Sequence, residues 1–359
     1  MQVSKRVVFV TPPTIYDRNG GGMQTQVYRT KEELEQLGYE IEFYTAHKHY
    51  DAKQYLCAHA FCAGASTYFP TLSLAKQGLP IVLSTVFIRG SASRLSDIAY
   101  RYGHDLIERL PWKLLDDTIC ARKQAAMAKA ALPNTRFEQL HCESVLRLAS
   151  SKCRVIPNGI DTDWLDLPKD KDAEPSTIAG GIQQPFVLCV GRINDRRKHF
   201  PLVAEVCIEL GMRCVLVGNW DATIRTSESQ RLQHLIDTRS DLIHYVGPLP
   251  YRSRELSEMY NRCHVFALPS DFETPGLAAL EAGYCRANVI ITNVGGTEDY
   301  FGSNAIYVSP GNKQQLRAAM EQAVNAPKNE ELRERVGSSY KWKNVAELTA
   351  AAYSDFIVS

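Results

Sequence analysis

The chain has 359 residues, 45% of them hydrophobic and 23% charged, a size and balance that suggest two globular domains and an ordinary enzyme-like composition. A net charge of +1 removes any global electrostatic argument for a nucleic-acid partner. No apolar run reaches the length of a membrane span, and Met1–Arg6 passes into a strand-like run with no signal-peptide core, so a cytoplasmic protein is expected. The ten cysteines include no CxxC pair, and several lie in apolar runs such as Val187–Val190, which reads as buried free thiols rather than disulfides or zinc ligands.

Strand and helix patterns alternate along the chain. Arg6–Thr11 predicts a buried strand, followed by a Gly-rich loop and a helix from about Met23 to Leu37 that Gly38 ends. Further strands are expected at Ile41–Thr45, Leu56–Phe61 and Pro80–Ser84. Residues 96–130 mix cations (Arg101, Arg109, Lys113, Arg122, Lys123, Lys129) with large apolar residues, a surface that suits either solvent or an anionic membrane. Pro133–Glu138 reads as a cap and first turn of a helix, with Glu138 a candidate in the cleft. Val155–Asp161 reads as a strand running into an Asn-Gly turn. Asp161-Thr162-Asp163 spells DxD, but Asp161 belongs to the turn, and no metal is expected.

The polar segment Lys169–Gln184 reads as a linker, after which the rhythm restarts. Strands are expected at Phe186–Gly191, Cys214–Val217, Ile243–Val246, Val265–Leu268, Val289–Thr292 and Ile306–Val308, with a final helix over Asn344–Phe356. This βαβ order predicts two doubly wound parallel-sheet α/β domains, at 1–170 and 185–339, with residues of about 340–359 returning to the first. Ligands in such domains bind at the carboxyl ends of strands, and the cleft between two facing domains is the expected site.

Three constellations stand out. Asn19–Thr25 holds three consecutive glycines, which let a backbone approach a phosphate or sugar, although Thr25 stands where a dinucleotide GxGxxG would need its last glycine. Arg192 and then Arg196, Arg197 and Lys198 follow a buried strand, a density of cations that suits a diphosphate. Pro269–Ala282 joins strand, tight turn and helix, with Glu273 in the turn and Glu281 two helical turns on. Backbone amides from Gly276 to Ala278 can bind phosphate, and each carboxylate can accept from sugar hydroxyls. Spacing alone gives the glutamates no meaning; their setting does.

Taken in order, these pieces resemble the family-4 retaining glycosyltransferases of the GT-B fold, over nearly the whole chain. The carriers are Gly21-Gly22, Val155–Asp161 ("VIPNGID"), Val190–Ile193, Tyr245-Val246-Gly247, Glu273–Glu281 (E-x7-E), Asn293–Glu298, and Trp342 with the last helix. Thr274-Pro275-Gly276-Leu277 stands where Gly-Phe-Gly-Leu is usual, and Ser84–Phe87 occupies a place where many relatives carry a His. The resemblance implies a nucleotide-diphosphate sugar as donor, UDP- or GDP-linked, and a glycan or lipid-linked acceptor in surface polysaccharide synthesis, lipopolysaccharide included. It implies catalytic roles for Arg192, Lys198 and Glu273, with Arg192 and either Arg197 or Lys198 holding the diphosphate. Gly21, Gly22, Arg197, Thr274, Pro275, Gly276, Leu277 and Glu281 would bind the donor, with Glu281 on the ribose; Asn158, Asp161 and Glu138 would line the acceptor side. It further implies no cofactor and no metal, the cations doing what Mn²⁺ does elsewhere. Apart from the resemblance, the cationic, amphipathic residues 96–130 are either a solvated helix face, the commoner case, or a peripheral contact with the inner face of a membrane. A GT-B phosphorylase, an epimerase or a non-catalytic nucleotide-sugar-binding scaffold are the competing functions.

Overall fold

A computed structural model describes residues 4–16, 21–87, 102–105, 116–166, 181–182 and 184–358. It divides into two compact units, Met1–Gly159 with Trp342–Ser359, and Ile160–Lys341. Each is a parallel α/β unit of the expected class. The strands are short apolar runs, as strands covered by helices on both faces must be.

In the first unit the elements run β1 (Arg6–Val10), α1 (Gly22–Gln36), β2 (Glu40–Phe43), β3 (Cys57–Phe61), α2 (Ala65–Lys76), β4 (Ile81–Ser84), α3 (Asp117–Met127), β5 (Ala128–Ala131) and α4 (Arg136–Leu146). The sheet order is β2-β1-β3-β4-β5. β5 escapes the sequence reading because Ala-Lys-Ala-Ala has helical propensity and no β-branched residue. It forms because Ala128, Ala130 and Ala131 are buried and pair with β4. Val155–Asp161 is no named strand. Arg154 and Ile156 N–H donate to Ala131 and Pro133 oxygens, both at 2.9 Å, and Pro157 then has no N–H to extend the pairing.

In the second unit the order is β6 (Phe186–Val190), α5 (Phe200–Leu210), β7 (Arg213–Val217), α6 (Ser227–Thr238), β8 (Ile243–Gly247), α7 (Arg254–Arg262), β9 (Val265–Leu268), α8 (Leu277–Tyr284), β10 (Asn288–Thr292), α9 (Thr297–Phe301), β11 (Ile306–Val308), α10 (Lys313–Asn325) and α11 (Glu330–Ser339). The sheet runs β11-β10-β9-β6-β7-β8. The chain therefore leaves β6 toward β7 and β8, and β9 comes back on the other side of β6. The carboxyl ends of β6 and β9 flank the switch point where such sheets bind ligands.

The boundary at Gly159/Ile160 lies before the expected 170. Ile160 N–H donates to Tyr340 O at 2.7 Å, and Ile160 and Leu165 lie in the second core. Most of the predicted linker falls outside the described residues. α12 (Trp342–Tyr353) packs Trp342, Val345, Ala346, Ala352 and Tyr353 against Val27 and Leu34 of α1 and the first sheet. His59 of β3 bonds Tyr353 O–H through Nδ1 at 2.7 Å and Ser84 Oγ through Nε2 at 2.8 Å, tying sheet to helix. All ten thiols are free, and all but Cys62 and Cys153 are buried.

Candidate functional site

At the carboxyl end of β6, Gly191 and exposed Arg192 open the loop that carries Arg196–Lys198 as a single 3₁₀ turn. Gly218, at the end of β7, passes so close that a Cβ there would lie 1.7 Å from Gly191 O. Only glycine permits that approach. The carboxyl end of β9 leads through Ser270–Gly276 into α8, and Glu273 is held by the turn after β10. Glu273 N–H donates to Val294 O at 3.2 Å, and Gly296 N–H to Glu273 O at 3.0 Å. A Cβ on Gly295 would stand 2.0 Å from Glu273 O.

These loops bring Lys198 to Glu273. Lys198 Nζ donates to Glu273 Oε1 at 2.5 Å, and Ser270 Oγ donates to the same oxygen at 2.7 Å. Both charged side chains are largely covered, at 17% and 13% exposure. Arg197, the other candidate cation, is 57% exposed and bonds Asp195 Oδ2 at 3.1 Å. An ammonium has three donors, so one bond to Glu273 leaves two for a phosphate.

Gly276 takes a left-handed conformation, φ +74°, that turns the chain into α8. The first intrahelical donor is Ala279 N–H, 2.8 Å from Gly276 O. Leu277 and Ala278 amides thus lie in the turn where a helix offers N–H groups to an anion. Pro275, buried beside them, contributes no N–H, one donor fewer than the usual Phe would bring. Glu281, on the same helix, is buried and accepts from Tyr260 O–H at 2.7 Å. Burial pushes its carboxyl up, the Tyr260 bond partly opposes this, and the nearby Asp161 charge adds to it, leaving it at about 7. Asp161 accepts from Tyr251 O–H at 3.1 Å. The structure thus groups Asp161 with Glu281 in the second unit, not with the first domain in which the sequence reading sets it.

The remaining candidates lie in the first unit. Gly21 is the exposed N-cap of α1 and Gly22 its first residue. Gly20 lies outside the described residues. Asn158 is buried just before the unit boundary. Glu138 is fully buried: it accepts from Asn134 N–H at 2.8 Å, Phe87 N–H at 3.0 Å and the Thr85 hydroxyl. That carboxylate fixes the loop after β4, in the very segment where the usual His is missing. Of the cationic stretch, Arg101, Arg109 and Lys113 fall outside the described residues. Arg122 is not a surface cation: it is buried, donating to Val145 O and Asp105 Oδ1, both at 2.9 Å. Lys123 and Lys129 are exposed. Sequence reasoning missed Ser270, His199, Asp271, Tyr251 and Tyr260, for which no local pattern gives a signal.

Residues 171–341 match the family model described as "Glycosyl transferases group 1". The chain is 26% identical over 310 residues to alpha-maltose-1-phosphate synthase of Mycolicibacterium smegmatis, covering 77% of this chain and 79% of that protein. Among solved structures it superposes on sucrose-phosphate synthase from Thermosynechococcus elongatus with a TM-score of 0.74 at 17% identity, covering 98% and 99% of the two chains. On Anabaena HepE in complex with UDP the TM-score is 0.70 at 16% identity, over 97% and 99%. Over residues 171–341 the chain is thus similar to the group 1 glycosyl transferases, and as a whole it has the GT-B fold and resembles the family-4 glycosyltransferases.

Proposed function

We propose that this protein is a retaining, metal-independent glycosyltransferase that moves a sugar from a nucleotide diphosphate, UDP- or GDP-linked, to a hydroxyl of a glycan or lipid-linked acceptor. The observation that carries the reading is the meeting of Lys198 and Glu273 at the switch point of the second sheet, on the loops that follow β6 and β9. The match of residues 171–341 to the group 1 glycosyl transferases, and a structural neighbour solved with UDP, support it.

In this reading Arg192, Lys198 and the Leu277 and Ala278 amides bind the diphosphate. Glu273 orients Lys198 and contacts the donor sugar, while Glu281 accepts from the ribose hydroxyls. As the glycosidic bond breaks, negative charge grows on the leaving diphosphate. Cations and amides fixed around it stabilise that state more than the ground state. The acceptor attacks from the face the leaving group vacates, and a phosphate oxygen takes its proton. The two glutamates are not a hydrolase's acid and nucleophile, since one serves the nucleoside. The reading also keeps surface polysaccharide as the product class and a peripheral membrane contact through exposed Lys123 and Lys129; among the described residues no helix is long and apolar enough to cross a bilayer.

The test is Arg192→Ala, expected to lower turnover more than tenfold, with nucleotide diphosphate released only when acceptor is present. Chelation with EDTA is expected to leave the parent rate unchanged. Unaltered kinetics in the Arg192 variant would remove the assignment. Thermal shifts with UDP, GDP and ADP identify the base, because a ligand that binds only the folded state raises the melting temperature.

A further inference from the structure

The turn that presents Lys198 ends at His199, which takes the left-handed conformation, φ +53° and ψ +29°. That region costs an ordinary side chain roughly 1 kcal/mol and costs glycine almost nothing. His199 precedes α5 as its N-cap residue, yet its side chain makes no capping bond. Neither backbone preference nor capping accounts for an imidazole here. What the imidazole does is cross to the other loop: Nε2 donates to Asp271 Oδ1 at 2.6 Å. The same Asp271 donates its backbone N–H to Arg197 O at 2.8 Å.

Between those two bonds lies the Lys198–Glu273 pair, 2.5 Å long. Three consecutive residues, Arg197, Lys198 and His199, therefore each bond to Asp271 or Glu273. We propose that His199 and Asp271 form a latch that fixes the β6 loop to the β9 loop and so sets the position of the Lys198 ammonium. They are positioning residues: neither needs to touch the donor. The role in transfer rests on the reading that Lys198 binds the donor diphosphate; the latch itself rests on geometry alone.

The logic is preorganisation. A lysine side chain has about 2 kcal/mol of rotamer freedom, and a donor that finds the ammonium already aimed does not have to order it. Asp271, at 44% side-chain exposure, and His199, at 24%, are open enough that substituting them leaves the core untouched.

The experiment uses the intact chain with His199→Gly, His199→Asn, Asp271→Asn and the His199→Gly/Asp271→Asn double variant. Glycine keeps the left-handed backbone and removes the imidazole; asparagine tolerates that backbone and retains an N–H donor. Reductive methylation of Lys198 in ligand-free protein, read by mass spectrometry, is expected to run at least threefold faster in His199→Gly and Asp271→Asn. Other lysines should react at the parent rate, and His199→Asn should fall between. Turnover is expected to drop about tenfold in each single variant and no further in the double. Unchanged Lys198 labelling, or a double variant showing the product of the single losses, overturns the latch. If labelling rises but UDP, GDP and ADP leave the parent's melting temperature unmoved, the latch stands and the donor reading falls.

Discussion

Glu281 serves binding and folding in opposite senses. Its folded carboxyl lies at about 7, above the ordinary 4.5, chiefly through burial. Between those values the folded state holds a proton that the unfolded state releases. Its contribution is thus full below about 4.5, falls as pH rises, and is lost above about 7. Glu281→Gln, which keeps shape and stays neutral, is therefore expected to raise the melting temperature at pH 8 by a few degrees. The same change should weaken nucleotide binding tenfold or more, because an amide accepts less strongly than a carboxylate. Parent affinity for the nucleotide should likewise decline as pH falls through 7, measured by titration calorimetry across pH 6 to 8. A variant stabilised at pH 8 with undiminished affinity would separate Glu281 from the ligand. Gly218 is the other residue with a sharp expectation: Gly218→Ala places a methyl on the Gly191 carbonyl, and the β6 loop must shift with it. The sequence pattern led to Arg192, Glu273 and Glu281 because each follows a strand end or sits in a helix whose start is marked by Gly and Pro. It left Arg197 and Lys198 as alternatives, since side-chain direction in a short turn has no sequence code; Arg197 turns back on Asp195 while Lys198 reaches Glu273.

Among the elements, those built from unbroken Val, Ile, Leu and Phe runs were legible to within a residue or two, as β6 and β10 illustrate. β5 was not, because pairing and burial override the propensity of alanine there. The bond between β3 and α12 was also invisible, since His59 and Tyr353 are almost 300 positions apart. Burial pushes the His59 imidazole down to about 3, so it folds neutral. The folded value lies below the ordinary 6.5, and this contribution to stability is whole above 6.5 and drains away as pH falls toward 3. His59→Gln is expected to cost roughly 1–3 kcal/mol at pH 7.5 through the imperfectly replaced pair of bonds. Its unfolding free energy should then vary less steeply than the parent's between pH 6 and 4, by up to one proton in slope. Equal slopes in urea melts would remove His59 from the acid sensitivity.

At the scale of the whole molecule the described residues form two compact units, and each buried cluster belongs to one unit or the other. Calorimetry is expected to resolve two transitions, of which UDP, GDP or ADP raises only that of the unit spanning 160–341, where the proposed diphosphate contacts of Lys198, Arg192 and α8 reside. Movement of the other transition alone would reassign the nucleotide to the first unit. Trp342→Ala should lower the first transition by a cost of about 3–5 kcal/mol, the usual penalty for emptying a buried aromatic site.

The return of residues 342–359 to the first unit also sets an order of events during translation. The second unit is one unbroken stretch and can close its core once Lys341 has emerged. The first unit is split, and Trp342, Val345 and Tyr353 reach its sheet only after everything between has been made. The earlier-made half of the chain is therefore the later-finished half. Until those residues arrive, α1 and the first sheet expose an apolar face on the nascent chain, a natural substrate for a holding chaperone.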